Sequence, residues 1–102
     1  MSETIISATL ERDLLLDVLD QDSVRNILLE TKEFHHIEKE PAWRLIQRMA
    51  ARGELRAYRG TNKDLYIDLT QCRLEDVANQ IDLFVEPTPA THARLRELGD
   101  RV

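Results

Sequence analysis

Apolar side chains recur along this chain first at helical spacing, then at strand spacing, then at helical spacing again. Ile5 and Ile6 are β-branched neighbours ahead of Ser7 and Thr9, so the opening residues read as a short strand or an arm. From about Ala8 the apolar residues Ala8, Leu14, Leu15, Val18 and Leu19, with Leu10 and Leu16 beside them, line one broad helical face. Thr9, with Glu11 and Asp13 after it, suits a helix N-terminus, because acids in the first turn complement the helix dipole. This helix is expected to end near Asp20. Asp22 or Ser23 then caps a second helix, running to Glu33 or Phe34, in which Val24, Ile27, Leu28 and Thr31 repeat at i, i+3, i+4 and i+7. His35 to Glu40 lead into Pro41, whose missing N–H costs nothing at the first position of a third helix. That helix buries Ala42, Leu45, Ile46 and Met49, carries Arg44, Gln47, Arg48 and Arg52 on its other faces, and stops at Gly53.

The period then drops to two. Leu55 and Ala57 alternate with Arg56 and Tyr58, and Leu65, Ile67 and Leu69 alternate with Tyr66 and Asp68, around Gly60-Thr61-Asn62-Lys63. This predicts a hairpin whose apolar face packs on the helices, with Tyr58 and Tyr66 facing outward and pairing across the strands. Thr70 caps a fourth helix in which Leu74, Val77, Ala78 and Ile81 repeat helically, extended by Phe84 and Val85 and broken by Pro87. Thr88 and Pro89 read as the cap and first residue of a short last helix with Ala90, Ala93, Leu95 and Leu98, ended by Gly99. The chain divides into a domain over residues 1–85, which includes the fourth helix, and a tail or short helix over 86–102.

Composition narrows the class. At 102 residues and 42% apolar, the chain is one small globular domain and not a disordered segment. Its longest apolar run is three residues, as in Leu14 to Leu16, far short of the roughly 20 that a membrane-spanning helix needs. No basic-then-apolar leader opens it, so a cytoplasmic location is expected. The single cysteine, Cys72, has no internal disulfide partner. The net charge of −5 hides a segregation: residues 1–40 carry ten acids and four bases, residues 41–63 one acid and six bases, and residues 64–102 eight acids and four bases. An acidic body with one basic segment suits a protein that presents one face to a polyanion and stays soluble elsewhere.

Three helices followed by a hairpin form the element order of a winged helix-turn-helix, and the residues add to it. Pro41-Ala42-Trp43-Arg44-Leu45-Ile46-Gln47-Arg48-Met49-Ala50-Ala51-Arg52-Gly53-Glu54-Leu55 resembles the recognition helix and first wing strand of that superfamily, over a region spanning residues 8–69. The resemblance implies a mainly α fold with a small β-hairpin wing, to which the apolar pattern adds C-terminal helices. It implies that Arg44, Gln47 and Arg48 face a major groove, where Arg suits guanine and Gln adenine. Arg52 and Arg56 extend that basic surface. The wing residues Arg59, Thr61, Asn62 and Lys63 would reach backbone phosphates. Glu38 and Glu40, at the entry of the same helix, would repel phosphate. Winged helices also serve as protein-interaction modules, so the resemblance specifies fold better than function.

Other constellations are weaker. His35, His36, Glu38, Cys72 and His92 match no metal-ligand spacing, so no metal and no cofactor is expected, and the histidines read as partly exposed loop residues. Cys72 reads as a small packing residue. With no phosphate-cradling glycine loop and no assembled nucleophile, the chain is not expected to be an enzyme. Trp43, some 100° round the third helix from Ala42, is expected to be partly buried; it packs either on the first helix or the 35–40 loop, or serves as an aromatic anchor for a partner. Phe84 and Val85 extend the fourth-helix stripe, which is either core or the seam of a homodimer presenting two basic helices to a palindromic site. Two functions follow from this reading. One is a small prokaryotic or phage transcriptional regulator that binds double-stranded DNA sequence-specifically. The other is a winged-helix adaptor or inhibitor that binds a protein and not DNA, its acidic surfaces steering it to a basic partner.

Overall fold

Leu10, Leu14, Leu15 and Val18 are all buried along one side of helix α1, which runs Ser2–Leu19. The computed structural model describes residues 2–60 and 62–99, and places side chains for 9–60 and 65–99. Helix α2 (Val24–His35) begins at Ser23, whose hydroxyl accepts from the Asn26 backbone N–H at 3.1 Å, and buries the expected Val24, Ile27, Leu28 and Thr31. It closes on His36 in the left-handed region (φ 57°), whose N–H donates to Lys32 O. Helix α3 (Lys39–Ala51) buries Ala42, Leu45, Ile46 and Met49, as the spacing predicts. It starts two residues before Pro41. The first backbone bond of the helix comes from Ala42 to Glu38 O, so Pro41 still lies among the N–H positions that have no partner to lose. The connection between α2 and α3 is therefore only residues 36–38, a short turn. Gly53, at φ +72°, ends the helix where side chains are strained.

Strands β1 (Arg56–Arg59) and β2 (Asn62–Ile67) form the expected antiparallel hairpin, with Tyr58 opposite Tyr66. A 3-10 turn (Leu69–Gln71), capped by Asp68 and not Thr70, leads into a single helical turn α4 (Leu74–Val77). Strand β3 (Leu83–Glu86) follows and pairs antiparallel with the other edge of β1, giving the order β2-β1-β3. Helix α5 (Pro89–Glu97) opens with the expected Thr88 cap, here a reciprocal capping box with Thr91. Among the described residues no helix is long and apolar enough to cross a membrane.

The expected elements are corrected at three further places. Residues 2–7 are helical, not a strand or arm, because extending an existing helix adds one hydrogen bond per residue ordered. The fourth helix over Leu74 to Ile81, with Phe84 and Val85, does not exist as one element: it is one turn, a loop and a strand. A short apolar run such as Leu83-Phe84-Val85 fits buried strand or helix equally by spacing, and the open edge of β1 supplies the partner that decides it. Leu65 is exposed at 63%, so the alternation from there reaches the core at Ile67, the end of β2, and at Leu69 in the 3-10 turn.

The β3 edge is covered in turn by the α1–α2 connection. Val85 N–H donates to Asp22 O at 3.1 Å, and Ser23 and Phe84 form an isolated antiparallel bridge. Both faces of the centre strand are thus covered, and its burial does not alternate: Ala57 and Tyr58 are both buried. Tyr58 does not face outward as the alternation predicts; its ring stacks on Phe84 at 5.9 Å and its hydroxyl donates to Gln21 Oε1 at 3.1 Å. Helix α5 packs against α1 and sinks Thr91 and Leu95 completely.

Candidate functional site

The exposed side of α3 is the first place to look for binding, since the chain's basic segment lies on it and on the hairpin that follows. Arg44 and Arg48 are exposed one helical turn apart on α3, and neither side chain has an ion pair or hydrogen bond among the described residues. They flank a groove of about 550 Å³ lined also by Pro41, Gln47, Ala51 and Thr70. Its second wall is the 3-10 turn. Gln47 builds that wall by donating from Nε2 to both Leu69 O and Cys72 O at 3.0 Å, which ties α3 to the turn. Gln47 is therefore a brace here, not the free base-reading amide that the resemblance implies.

The remaining described cations of the segment, Arg52, Arg56 and Arg59, are engaged with acids. Arg52 Nη2 lies 2.6 Å from Glu11 Oε1 and 3.2 Å from Glu54 Oε2. Arg56 pairs with Glu86 at 3.4 Å and lies 4.7 Å above the Tyr66 ring. Arg59 pairs with Asp82 at 3.6 Å. Thr61 and the side chains of Asn62 and Lys63 lie outside the described residues. The basic segment of the sequence is thus not one open positive surface: β3 and its approach, through Asp82 and Glu86, set acids beside the hairpin arginines. Of the three candidate partner-facing residues, two are placed internally and Phe84 is partly buried. Trp43 is 4% exposed and Val85 fully buried, both within the core, while Phe84 stacks on Tyr58. The seam that a long fourth helix would have offered to a second copy is absent with that helix.

Two clusters each join residues from elements separated in sequence. The first brings together Glu11 from α1, Arg52 and Glu54 from the end of α3, and Arg94 from α5: Arg94 Nε lies 3.1 Å from Glu11 Oε1 and 3.8 Å from Glu54 Oε1, and both carboxylates are nearly buried. Burial pushes the Glu54 carboxyl up, with Glu11 adding to it against the opposing pull of Arg52 and Arg94. Glu11 next to Leu10, and Glu54 between Gly53 and Leu55, are the available signals: acids at the border of apolar stretches.

The second cluster is acidic. Oxygens of Asp17, Asp22 and Glu30 all lie within 4.8 Å of one another. Asn26 Nδ2 bridges Asp22 Oδ2 at 2.8 Å and Glu30 Oε1 at 3.1 Å, but the Asp17 carboxylate has no partner among the described residues. Burial, then the charges of Glu30, Asp22, Asp20 and Asp13, push Asp17 up to about 7. A carboxyl that keeps its proton longer in the folded than in the unfolded chain adds most stability below pH 4, and loses that contribution as pH rises to 7. Asp17→Asn is therefore expected to stabilise the protein at pH 8 by about 1 kcal/mol, after discounting for solvent screening. The gain should vanish near pH 4. Urea melts at the two pH values test this; an equal effect at both would show that the gain is not electrostatic.

Burial also pushes the Cys72 thiol up, with Asp68 and Asp76 adding to it, and Sγ donates to Asp68 O at 3.5 Å. His35 Nε2 sits 2.8 Å from Asp13, linking α2 to α1. Compared with known family models, curated proteins and solved structures, the chain matches none.

Proposed function

We propose that this chain is a winged-helix-type protein-interaction module whose α3 groove binds an acidic segment of a protein partner. The observation that carries this reading is the division of the arginines: Arg52, Arg56 and Arg59 are engaged with Glu11 and Glu54, Glu86 and Asp82, which leaves Arg44 and Arg48 open beside the groove. A duplex contact draws its affinity from a row of cations that release counterions together, and acids set among them oppose every phosphate. Two open guanidinium groups one turn apart instead suit one or two carboxylates, each able to accept a paired hydrogen bond. Pro41, Ala51 and the stems of the two arginines supply apolar contact between them. The short α2–α3 turn, the hairpin directly after α3 and the order of the first five elements support the winged-helix architecture.

The test uses two probes on the full chain. A random duplex library is offered at low and moderate salt, and short fluorescein-labelled peptides carrying two Glu around a central Leu are titrated in parallel. The expected result is saturable peptide binding that Arg44→Ala with Arg48→Ala weakens about tenfold, equivalent to ~1.4 kcal/mol, and that Arg59→Ala leaves unchanged. An enriched duplex motif, with steep salt dependence and loss in both Arg48→Ala and Arg59→Ala, would overturn the proposal in favour of a DNA-binding regulator.

A further inference from the structure

A second groove lies between α1 and α2, and it shares no residue with the α3 groove. Leu10, Leu14, Leu16 and Phe34 supply its apolar walls, and Asp13, Asp17 and Glu30 its charge. Phe34 is 70% exposed on α2, where a core-facing aromatic would be covered. Asp13 is taken by His35 at 2.8 Å, but among the described residues no Lys or Arg lines the groove to answer Asp17 and Glu30. The volume, about 220 Å³, is below the ~300–1,000 Å³ usual for a small-molecule pocket, and leaves room for one side chain rather than a cofactor.

We propose that this groove receives a Lys or Arg side chain from a basic amphipathic segment of a partner protein, its stem along Leu10, Leu14 and Phe34 and its charge at Asp17 and Glu30. Charge complementarity and the mixed lining both point to this occupant. A long cationic side chain combines an apolar stem with a positively charged tip, and it fits walls of Leu and Phe that carry carboxylates. A guanidinium also gains from an exposed aromatic ring. A hydrated metal ion would use the carboxylates but nothing of the Leu and Phe walls. Asp17 carries the strongest motive. Its carboxylate is partly buried with no hydrogen-bond partner among the described residues and lies within 4.8 Å of two further carboxylates, and a cation beside it removes that repulsion. The inference does not depend on the α3 reading, because the two grooves are lined by different residues and have opposite charge.

The experiment is fluorescence anisotropy of a labelled peptide with Arg and Leu at helical spacing, titrated with the full chain at physiological ionic strength. Four variants accompany wild type: Asp17→Asn with Glu30→Gln, Phe34→Ala, Glu75→Gln with Asp76→Asn, and Arg44→Ala with Arg48→Ala. The groove charge variant is expected to weaken binding about tenfold, and Phe34→Ala several-fold. The α4 charge variant, which removes the same charge from exposed positions elsewhere, is expected to change binding less than about twofold, and the α3 variant should leave it unchanged. Because Asp17→Asn is expected to stabilise the fold, lost binding is not lost folding, and thermal melts of each variant confirm this. Equal weakening by the two charge variants would reduce the effect to general attraction and overturn the proposal. So would the absence of saturable binding, or calcium raising the Tm of the wild type alone while the peptide fails to bind. Concentration-dependent self-association that the peptide disperses, and that Arg44→Ala with Arg48→Ala abolishes, would assign the groove to a second copy instead.

Discussion

Replacing Trp43 by Ala is expected to cost about 3–5 kcal/mol, a large part of the ~5–15 kcal/mol that holds a domain of this size folded. The side chain is 4% exposed and belongs to the core that α1, α2 and α3 build together. Truncation removes its transfer free energy and leaves a cavity that close-packed neighbours fill only in part. With roughly 4–8 °C of Tm per kcal/mol at this length, the variant should melt more than about 12 °C below wild type. Trp43→Phe, which retains an aromatic ring, should lose less than half as much. Far-UV circular dichroism in urea is the right measurement, since the substitution removes the only tryptophan and with it the fluorescence signal. A loss below about 1 kcal/mol would place Trp43 at the surface in solution and return it to the role of partner anchor.

Glu11→Ala is expected to cost about 2–3 kcal/mol, somewhat below the usual effect of breaking a fully buried ion pair because Arg52 and Arg94 keep partial access to water. Glu11 is the hub of its cluster: Arg52 Nη2 reaches Oε1 from the end of α3, and Arg94 Nε reaches the same oxygen from α5. Its removal leaves Glu54 as the one remaining buried carboxylate for both cations. Thr91 Oγ1 still donates to Glu54 O at 2.5 Å, so α5 loses its ionic hold on α1 but keeps its capping contact. Local opening should therefore appear before global unfolding, as faster trypsin cleavage at Arg94 and Arg96 under native conditions. A Glu11→Ala, Arg94→Ala double-mutant cycle should give a coupling of about 1–2 kcal/mol. A coupling near zero would mean that α5 is held by Leu95 and Thr91 alone.

The helical region from Ser23 to Gly53 is legible in the sequence because its signals are local. The Ser23 cap, the Val24, Ile27, Leu28 and Thr31 repeat, the α3 stripe and the stop at Gly53 each depend on residues within a turn or two of one another. The Thr88–Pro89 start of α5 is legible for the same reason. The burial of Trp43 is not, because angle round the helix measures direction and not how many elements converge there. The basic segment is real as composition but does not carry over to the surface: its answering acids, Glu11, Asp82 and Glu86, are distant in sequence from Arg52, Arg59 and Arg56.

By itself, then, the sequence determined three helices, a hairpin and a capped last helix, along with which side of α2 and α3 turns inward, because periodicity and capping are properties of short stretches. Only the tertiary structure decided that Leu83-Phe84-Val85 is a strand, that Tyr58 is buried, and that Arg44 and Arg48 alone among the described arginines of the basic segment stay open. A short apolar run takes its state from the edge that pairs with it, and an arginine's availability depends on which carboxylate the fold brings within reach. Both are long-range outcomes, and no window of neighbouring residues contains them.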